Sequence, residues 1–277
     1  MRTRSVLAVG VLVCFAAGCA STAPEESATK LGQPLPHAHA HNDYEHERPL
    51  FDALSYGFCS IEADVHVVDG QLLVAHDRED VRPGHTLESL YLGPLRELAR
   101  RNGGRVYPDG PTITLLIDFK TPAVRTYEAL KPLLVKYKEM LTEFREGDVE
   151  TRAVTVIISG NRPVRSLQQE NVRYAAIDGR LQDLETNPPA HLVPLVSDNW
   201  ATNFEWRGSG GFPVAEAVKL RDIVQKAHAQ GRKVRFWATP DRPPMWDALL
   251  AAEVDLIGAD NLERLAGYLK ECSEDSP

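Results

Sequence analysis

The sequence predicts a single (β/α)8 barrel, and three observations carry that prediction. From His37 to Lys270, short apolar stretches with a period of two alternate with stretches whose apolar residues recur at helical spacing. That is the pattern of parallel strands joined by crossover helices. The span is close to the ~250 residues that an eight-fold barrel needs, and no Pro-, Gly- or Ser-rich linker divides it into two domains.

Strands are expected near 37–41, 60–67, 71–76, 112–119, 153–158, 173–177, 192–196, 233–238 and 254–259. Helices are expected near 48–56, 87–101, 122–146, 164–170, 212–230, 243–252 and 261–270. The 212–230 stretch is typical: Val214, Ala217, Val218, Ile223 and Val224 fall near helical spacing and Gly231 ends it. The strand at 71–76 breaks the alternation, and Asp69-Gly70 explains it as a hairpin turn after the second strand. A three-residue loop with Gly70 left-handed would set Val67 opposite Gln71 and Glu62 opposite His76, and a two-residue loop would shift the pairing by one. Either register returns His76 to the neighbourhood of Glu62 and Asp64.

Ahead of the barrel, Arg2 and Arg4 precede an apolar run from Ser5 to Ala17 and then Ala16-Ala17-Gly18-Cys19. A run of this length reads as a secretory leader over 1–18 rather than a membrane span. The Ala-Ala-Gly-Cys tetrad resembles the lipobox of bacterial lipoproteins. That resemblance implies lipidation at Cys19, a membrane anchor in a bacterial cell envelope and, from Ala20, the outer membrane where there is one. Residues 19–36, rich in Ser, Thr, Pro and Glu, read as a flexible tether, 37–270 as the barrel and 271–277 as a polar tail. Once Cys14 and Cys19 are set aside, Cys59 and Cys272 remain, and a buried, inert Cys59 is expected rather than a disulfide between them.

The chain carries 31 Lys and Arg against 39 Asp and Glu, a formal charge of −8. With no basic stripe to meet a phosphate backbone, nucleic acid is excluded as a partner. A small phosphate-bearing substrate met through a bound cation is not excluded.

Chemistry concentrates between His37 and Asp77. Ser60, Glu62, Asp64 and His66 alternate with Ile61, Ala63, Val65 and Val67, so one strand carries two carboxylates on one face. Such a face needs a cation, hydrogen bonds or water to offset desolvation. A third acid follows in TITLLIDFKT, where Asp118 and Lys120 share a strand face with Leu116. Alone, Asp118 and Lys120 would read as a structural ion pair. Together with Glu62 and Asp64 at strand ends, where barrels place their sites, they read as a centre for one hard divalent cation, Mg²⁺ or Ca²⁺. His37, His39 and His41 alternate along the first strand, and any of them could act; His41 lies furthest along it, with His39 in reserve.

The order His41, Glu62-x-Asp64, an Asp-Gly hairpin, His76-Asp77 and Asp118-x-Lys120 resembles the glycerophosphodiester phosphodiesterase family and its phospholipase C-like superfamily. HNDYEHERPLFDAL with SIEADV is similar to a branch of that superfamily named for a mitochondrial-inheritance protein. The Asp-Phe-Lys triad also resembles phospholipase D toxins related to sphingomyelinase D. The match is good over 41–120 and looser through FWATPD at 236–241 and VDLIGADN at 254–261. The resemblance implies that Glu62, Asp64 and Asp118 hold the metal, His41 and His76 form the acid/base or nucleophile pair, Lys120 contacts a phosphate oxygen and Trp237 flanks the pocket. The implied substrate is a glycerophosphodiester or a (lyso)phospholipid head group. One departure is that the Arg-Gly expected after the first histidine is Asn42-Asp43, which leaves Asn42 in a substrate-binding position without a guanidinium. A second is that DREDVRPGHTLESL has no cysteine for the toxins' bridged loop.

Two other readings compete. His39-x-His41 at a first strand end suits a two-zinc hydrolase of the amidohydrolase type, but TVIISGNRP and YAAIDG bring no further histidine and His191 begins its strand. A non-catalytic, ligand-binding lipoprotein is the other.

Overall fold

The computed structural model describes residues 30–274. Eight parallel strands form a closed barrel: β1 (Leu35–Ala40), β2 (Phe58–Val68), β3 (Ile113–Phe119), β4 (Val154–Gly160), β5 (Ala176–Gly179), β6 (Leu195–Asn199), β7 (Lys233–Trp237) and β8 (Leu256–Ala259), with β8 pairing back onto β1. A helix follows each strand: α1 (Phe51–Tyr56), α2 (Gly93–Arg101), α3 (Ala123–Lys136), α4 (Val164–Gln168), α5 (Asp183–Thr186), α6 (Val214–Ala229), α7 (Pro243–Ala251) and α8 (Leu262–Glu274). This is the predicted architecture, a TIM barrel.

Strand alternation sorts the residues into two cores. Outward-facing Ile61, Ala63, Val65, Leu115, Ile117, Phe119, Val156 and Ile158 join the large apolar cluster under the helices. Inside the barrel, Leu116, Ile157, Leu195 and Leu256, from β3, β4, β6 and β8, form a separate apolar layer. Two residues further along the same strands stand Asp118, Ser159, Ser197 and Gly258. With a side-chain period of two, these face the same interior. The barrel is therefore plugged with hydrocarbon below and polar above, and the polar layer lies at the carboxyl ends of the strands.

The hairpin after β2 is formed by Gln71–Val74, with Val68 opposite Gln71 and Val65 opposite Val74. Its loop is the two-residue one: Asp69 and Gly70 both have positive φ, 49° and 78°, as a type I′ turn demands. The three-residue register is thus corrected by one position. The Ala75 N–H now donates to the Asp64 carbonyl at 3.3 Å, and the next residue, His76, falls beside the Asp64 side chain.

Several boundaries also differ from expectation. The helix expected over 122–146 ends at Lys136, because Val154 N–H donates to Met140 O and Thr142 N–H to Val154 O, which ties 140–142 to the edge of β4. Beyond it, Glu143–Arg145, Asp148–Glu150 and Val172–Arg173 form a small antiparallel sheet. Here tertiary pairing overrides helix propensity, and it withdraws Arg173 from the barrel strand expected at 173–177. The tether does not remain free up to residue 36, since Gly32 N–H donates to Leu54 O and Leu35 N–H to Gly57 O. Helix α8 runs to Glu274, into the stretch read as a polar tail. Cys59 and Cys272 are not bridged, and burial pushes the Cys59 thiol up to about 12, so it stays a neutral thiol. The leader over 1–18, Cys19 and the start of the tether lie outside the described residues.

Candidate active site

At the end of β1, His39 and His41 part company. His39 is fully buried; its Nε2 meets Glu62 Oε2 at 2.9 Å and its Nδ1 meets Ser60 Oγ at 2.8 Å. Burial first, then the nearby Arg235 charge, bring its pKa down to about 4 against the pull of Glu62. The ring is therefore neutral, donates to Glu62 and accepts from Ser60, so neither nitrogen is left for a substrate. His41 stands just beyond the strand, its Nδ1 at 2.7 Å from Asp260 Oδ1. Burial works to lower its pKa, but the hydrogen bond to Asp260, reinforced by Glu62, outweighs it and the pKa is raised.

The three acids converge. Register aligns Asp64 directly with Asp118 across β2 and β3, and carboxylate oxygens of Glu62, Asp64 and Asp118 lie within 4.8 Å of one another. Burial would raise Glu62, yet Arg235 (Nη2 to Oε2 at 2.6 Å) and His39 hold it well below the usual carboxylate range. Asp64 is raised, by burial and then by Glu62, against the opposing charge of Lys120. Its Oδ2 accepts from Tyr44 OH at 2.7 Å, from His76 Nδ1 at 3.1 Å and from Lys120 Nζ at 2.9 Å. Its Oδ1 is buried and has no partner among the described residues. Lys120 also reaches Asp118 Oδ1 at 3.2 Å; burial lowers its pKa, but the two carboxylates more than compensate and the ammonium is held charged.

This donor set fits a hard divalent cation. All three groups offer carboxylate oxygens, as Mg²⁺ and Ca²⁺ prefer, and the orphaned Asp64 Oδ1 is a buried acceptor that a cation would satisfy. Among the described residues, these are also the only three or more His, Cys, Asp or Glu side chains that converge closely enough to hold an ion. His39 and His41 are not part of that group, so the pair does not form the two-zinc site considered from the sequence.

A cleft of about 90 Å³ is lined by His41, Arg235, Trp237, Thr239 and Asp260 among others, and Arg235 links it to Glu62. Trp237 lies on its wall, as expected, with the Arg180 guanidinium 4.8 Å above its ring. Asn42, left-handed at φ 47°, directs its amide to Glu45 Oε1 at 3.5 Å. The turn it opens is anchored by Asp43, which is buried and accepts from Leu50 N–H and Tyr91 OH. His37 instead faces outward at the other end of β1, near the Asp255 carbonyl at 3.0 Å, and His66 binds the His76 carbonyl at 3.1 Å.

Sequence reasoning missed Tyr44, Asp260 and Arg235. Arg235 carried a readable signal, since Lys233, Arg235 and Trp237 share one face of a core strand and an arginine on an inward face needs an acid. Tyr44 and Asp260 lie in loops, where no periodicity points a side chain.

The descriptive model of an AIM6-like phosphodiesterase domain matches residues 29–178. The chain is 30% identical over 278 residues to altered inheritance of mitochondria protein 6 of Lachancea thermotolerans, covering 83% of this chain and 65% of that protein. It is also 30% identical over 287 residues to the Eremothecium gossypii protein of the same name, covering 88% of this chain and 73% of that one. The chain thus spans about two thirds of the length of the curated relatives it matches. Among solved structures, the glycerophosphodiester phosphodiesterase of Agrobacterium tumefaciens superposes with a TM-score of 0.50 at 15% identity, covering 85% of this chain and all of that one, a likeness of fold. These findings correct the expected bacterial envelope location, because the curated relatives are fungal proteins named for mitochondrial inheritance. They lend no support to the leader, the lipidation of Cys19 or the membrane anchor. No helix among the described residues is long and apolar enough to cross a membrane.

Proposed function

Because the chain belongs to the family of AIM6-like phosphodiesterase domains, we propose that it hydrolyses a phosphodiester of the glycerophosphodiester or lysophospholipid type, with one divalent cation, Mg²⁺ or Ca²⁺, held by Glu62, Asp64 and Asp118. The observation that carries this reading is the convergence of those three carboxylates, one with an orphaned buried oxygen, next to two imidazoles that are each held by an acid. When bound, the cation supplies Lewis-acid neutralisation of the charge that builds on the phosphate oxygens.

The histidines derive their roles from their partners. A carboxylate only accepts, so Asp260 fixes the proton of His41 on Nδ1, and Asp64 does the same for His76. Each ring is left with Nε2 unengaged among the described residues, one to take a proton from the attacking water or to attack phosphorus itself, the other to protonate the leaving alkoxide. Imidazole suits both duties because its pKa lies near neutrality. Tyr44, hydrogen-bonded to Asp64 and 3.4 Å from His76 Nδ1, steadies the second ring. Lys120 provides a positive charge beside the attacked phosphate and Trp237 a wall for the rest of the diester.

The test is turnover of bis(p-nitrophenyl) phosphate by residues 30–277 with Mg²⁺, Ca²⁺ or EDTA, followed by a panel of glycerophosphodiesters read by phosphorus NMR. Metal-dependent release of a monoester, abolished in His76→Ala, is expected. Absence of metal-dependent turnover, full activity in His76→Ala, or a cyclic phosphate product would each overturn a part of the reading.

A further inference from the structure

The loop after β1 has Asn42 where the resemblance leads one to expect an arginine on the phosphate, and the Asn42 amide is turned towards Glu45. A guanidinium nevertheless reaches the cleft, from a different strand. Arg235, on the inward face of β7, extends across the barrel interior to Glu62 on β2. The residue is 3% exposed and lines the cleft with His41, Trp237 and Asp260.

Its hydrogen bonds are unevenly spent. Nη2 donates to Glu62 Oε2, whereas Nε is buried with no acceptor and Nη1 makes no hydrogen bond among the described residues. A buried, unpaired donor on a permanently charged group is costly to keep. The one anion it touches is shared, because Glu62 Oε2 also accepts from His39. Simple neutralisation of Glu62 would leave no reason for the remaining donors to be turned away from every protein acceptor next to a small cleft. A tetrahedral oxyanion in that cleft would satisfy both, since guanidinium N–H groups match phosphate oxygens in spacing and charge.

Resting on the phosphodiesterase reading, we propose that Arg235 is a second phosphate-contacting residue of this site beside Lys120, supplying from β7 the guanidinium that Asn42 lacks, with Nε–H and Nη1–H donating to the non-bridging oxygens.

The experiment is a calorimetric titration of inorganic phosphate into residues 30–277 in EDTA, with a parallel Mg²⁺ titration of metal-free protein. Arg235→Gln is expected to weaken phosphate binding by about tenfold to a hundredfold, the loss of one or two charge-assisted hydrogen bonds. Should thermal melting show that Arg235→Gln does not fold, Arg235→Lys decides: it keeps the charge near Glu62 but not both donors, and should also weaken phosphate binding. Tighter Mg²⁺ binding in the variant with unchanged phosphate affinity would reduce Arg235 to a partner of Glu62 and overturn the proposal. So would a wild type that binds no phosphate, or an Arg235→Lys that binds it as well as wild type. Arg235-dependent phosphate binding by a protein that cleaves no diester would instead sink the activity and leave this assignment standing.

Discussion

Replacing Gly160 by alanine tests how closely β4 is fitted to the face of β3 that carries Asp118. Gly160 ends β4 with φ at +63°, and a Cβ there would lie 2.4 Å from Asp118 Oδ1, 2.6 Å from Phe119 O and 2.8 Å from Phe119 N. The side-chain oxygen could swing away. The backbone atoms cannot, because Phe119 O is held by Asn161 N–H at 3.0 Å and β3 is locked between β2 and β4. The left-handed conformation costs a non-glycine residue about 1–2 kcal/mol, and the overpacking adds about 1–3 kcal/mol. A loss of about 2–5 kcal/mol in urea unfolding is therefore expected, within the ~5–15 kcal/mol that a domain has to lose. Gly70→Ala is the internal control, since Gly70 also has positive φ, +78°, but nothing within 4 Å of its Cβ position, and it should show only the conformational part. The variants should differ in a second assay as well. With Asp118 pushed off its position, Mg²⁺ binding by calorimetry should weaken in Gly160→Ala and stay at the wild-type value in Gly70→Ala. If Gly160→Ala is no less stable than Gly70→Ala and binds Mg²⁺ like wild type, the fit of β4 against Asp118 is not what the geometry indicates.

Other expectations follow from the charges. Asp118→Asn should weaken Mg²⁺ binding, and unchanged affinity by calorimetry would remove it from the ligand set. Lys120→Met should tighten Mg²⁺ about tenfold, by relieving roughly 1.4 kcal/mol of repulsion, while slowing turnover; weaker Mg²⁺ binding would contradict this. In Asp260→Asn the His41 pKa should fall, because the hydrogen bond that raises it is weakened; the titration of the ring C–H signals by NMR, and the corresponding limb of the pH–rate profile, should both move to lower pH. Burial raises Asp43 from 3.8 to about 7 against the hydrogen bonds from Leu50 and Tyr91. The folded state thus keeps a proton that the unfolded chain releases, so this contribution to stability is full below about pH 3.8, is lost as pH rises to about 7 and is flat above. Asp43→Asn should flatten that decline in urea midpoints measured between pH 4 and pH 8, and an unaltered slope would refute it.

What could be read in advance was whatever the period of two controls. Glu62 and Asp64 share a face with Ser60, and Asp118 shares one with Leu116, whatever the barrel does around them, so the acidic trio needed only parallel pairing to converge. His76 was legible for a different reason, as Asp69-Gly70 can form only a tight turn and every tight turn brings it back to β2. The choice between His39 and His41 was not legible. Both lie on one face, and they are separated only by depth: one ring meets Ser60 and Glu62 inside the barrel, the other clears the strand end and meets Asp260. The helix expected to continue to 146 failed because helical spacing is a local signal, whereas the pairing of Met140 and Thr142 with Val154 is not.

Depth disfavours the charged form of these acids, and the basic groups around them oppose it. Leu116, Ile157, Leu195 and Leu256 seal the barrel one layer beneath the carboxylates, so no water reaches them from below and each charge must be answered from the side or from above. Arg235 answers Glu62 from across the barrel, and Lys120 answers Asp64 and Asp118 from their own edge. Two cations facing three carboxylates leave one negative charge and one buried oxygen, Asp64 Oδ1, unanswered. A site without a ligand to receive would more cheaply have a third base or one acid fewer, and this surplus is the strongest physical argument for the proposed cation.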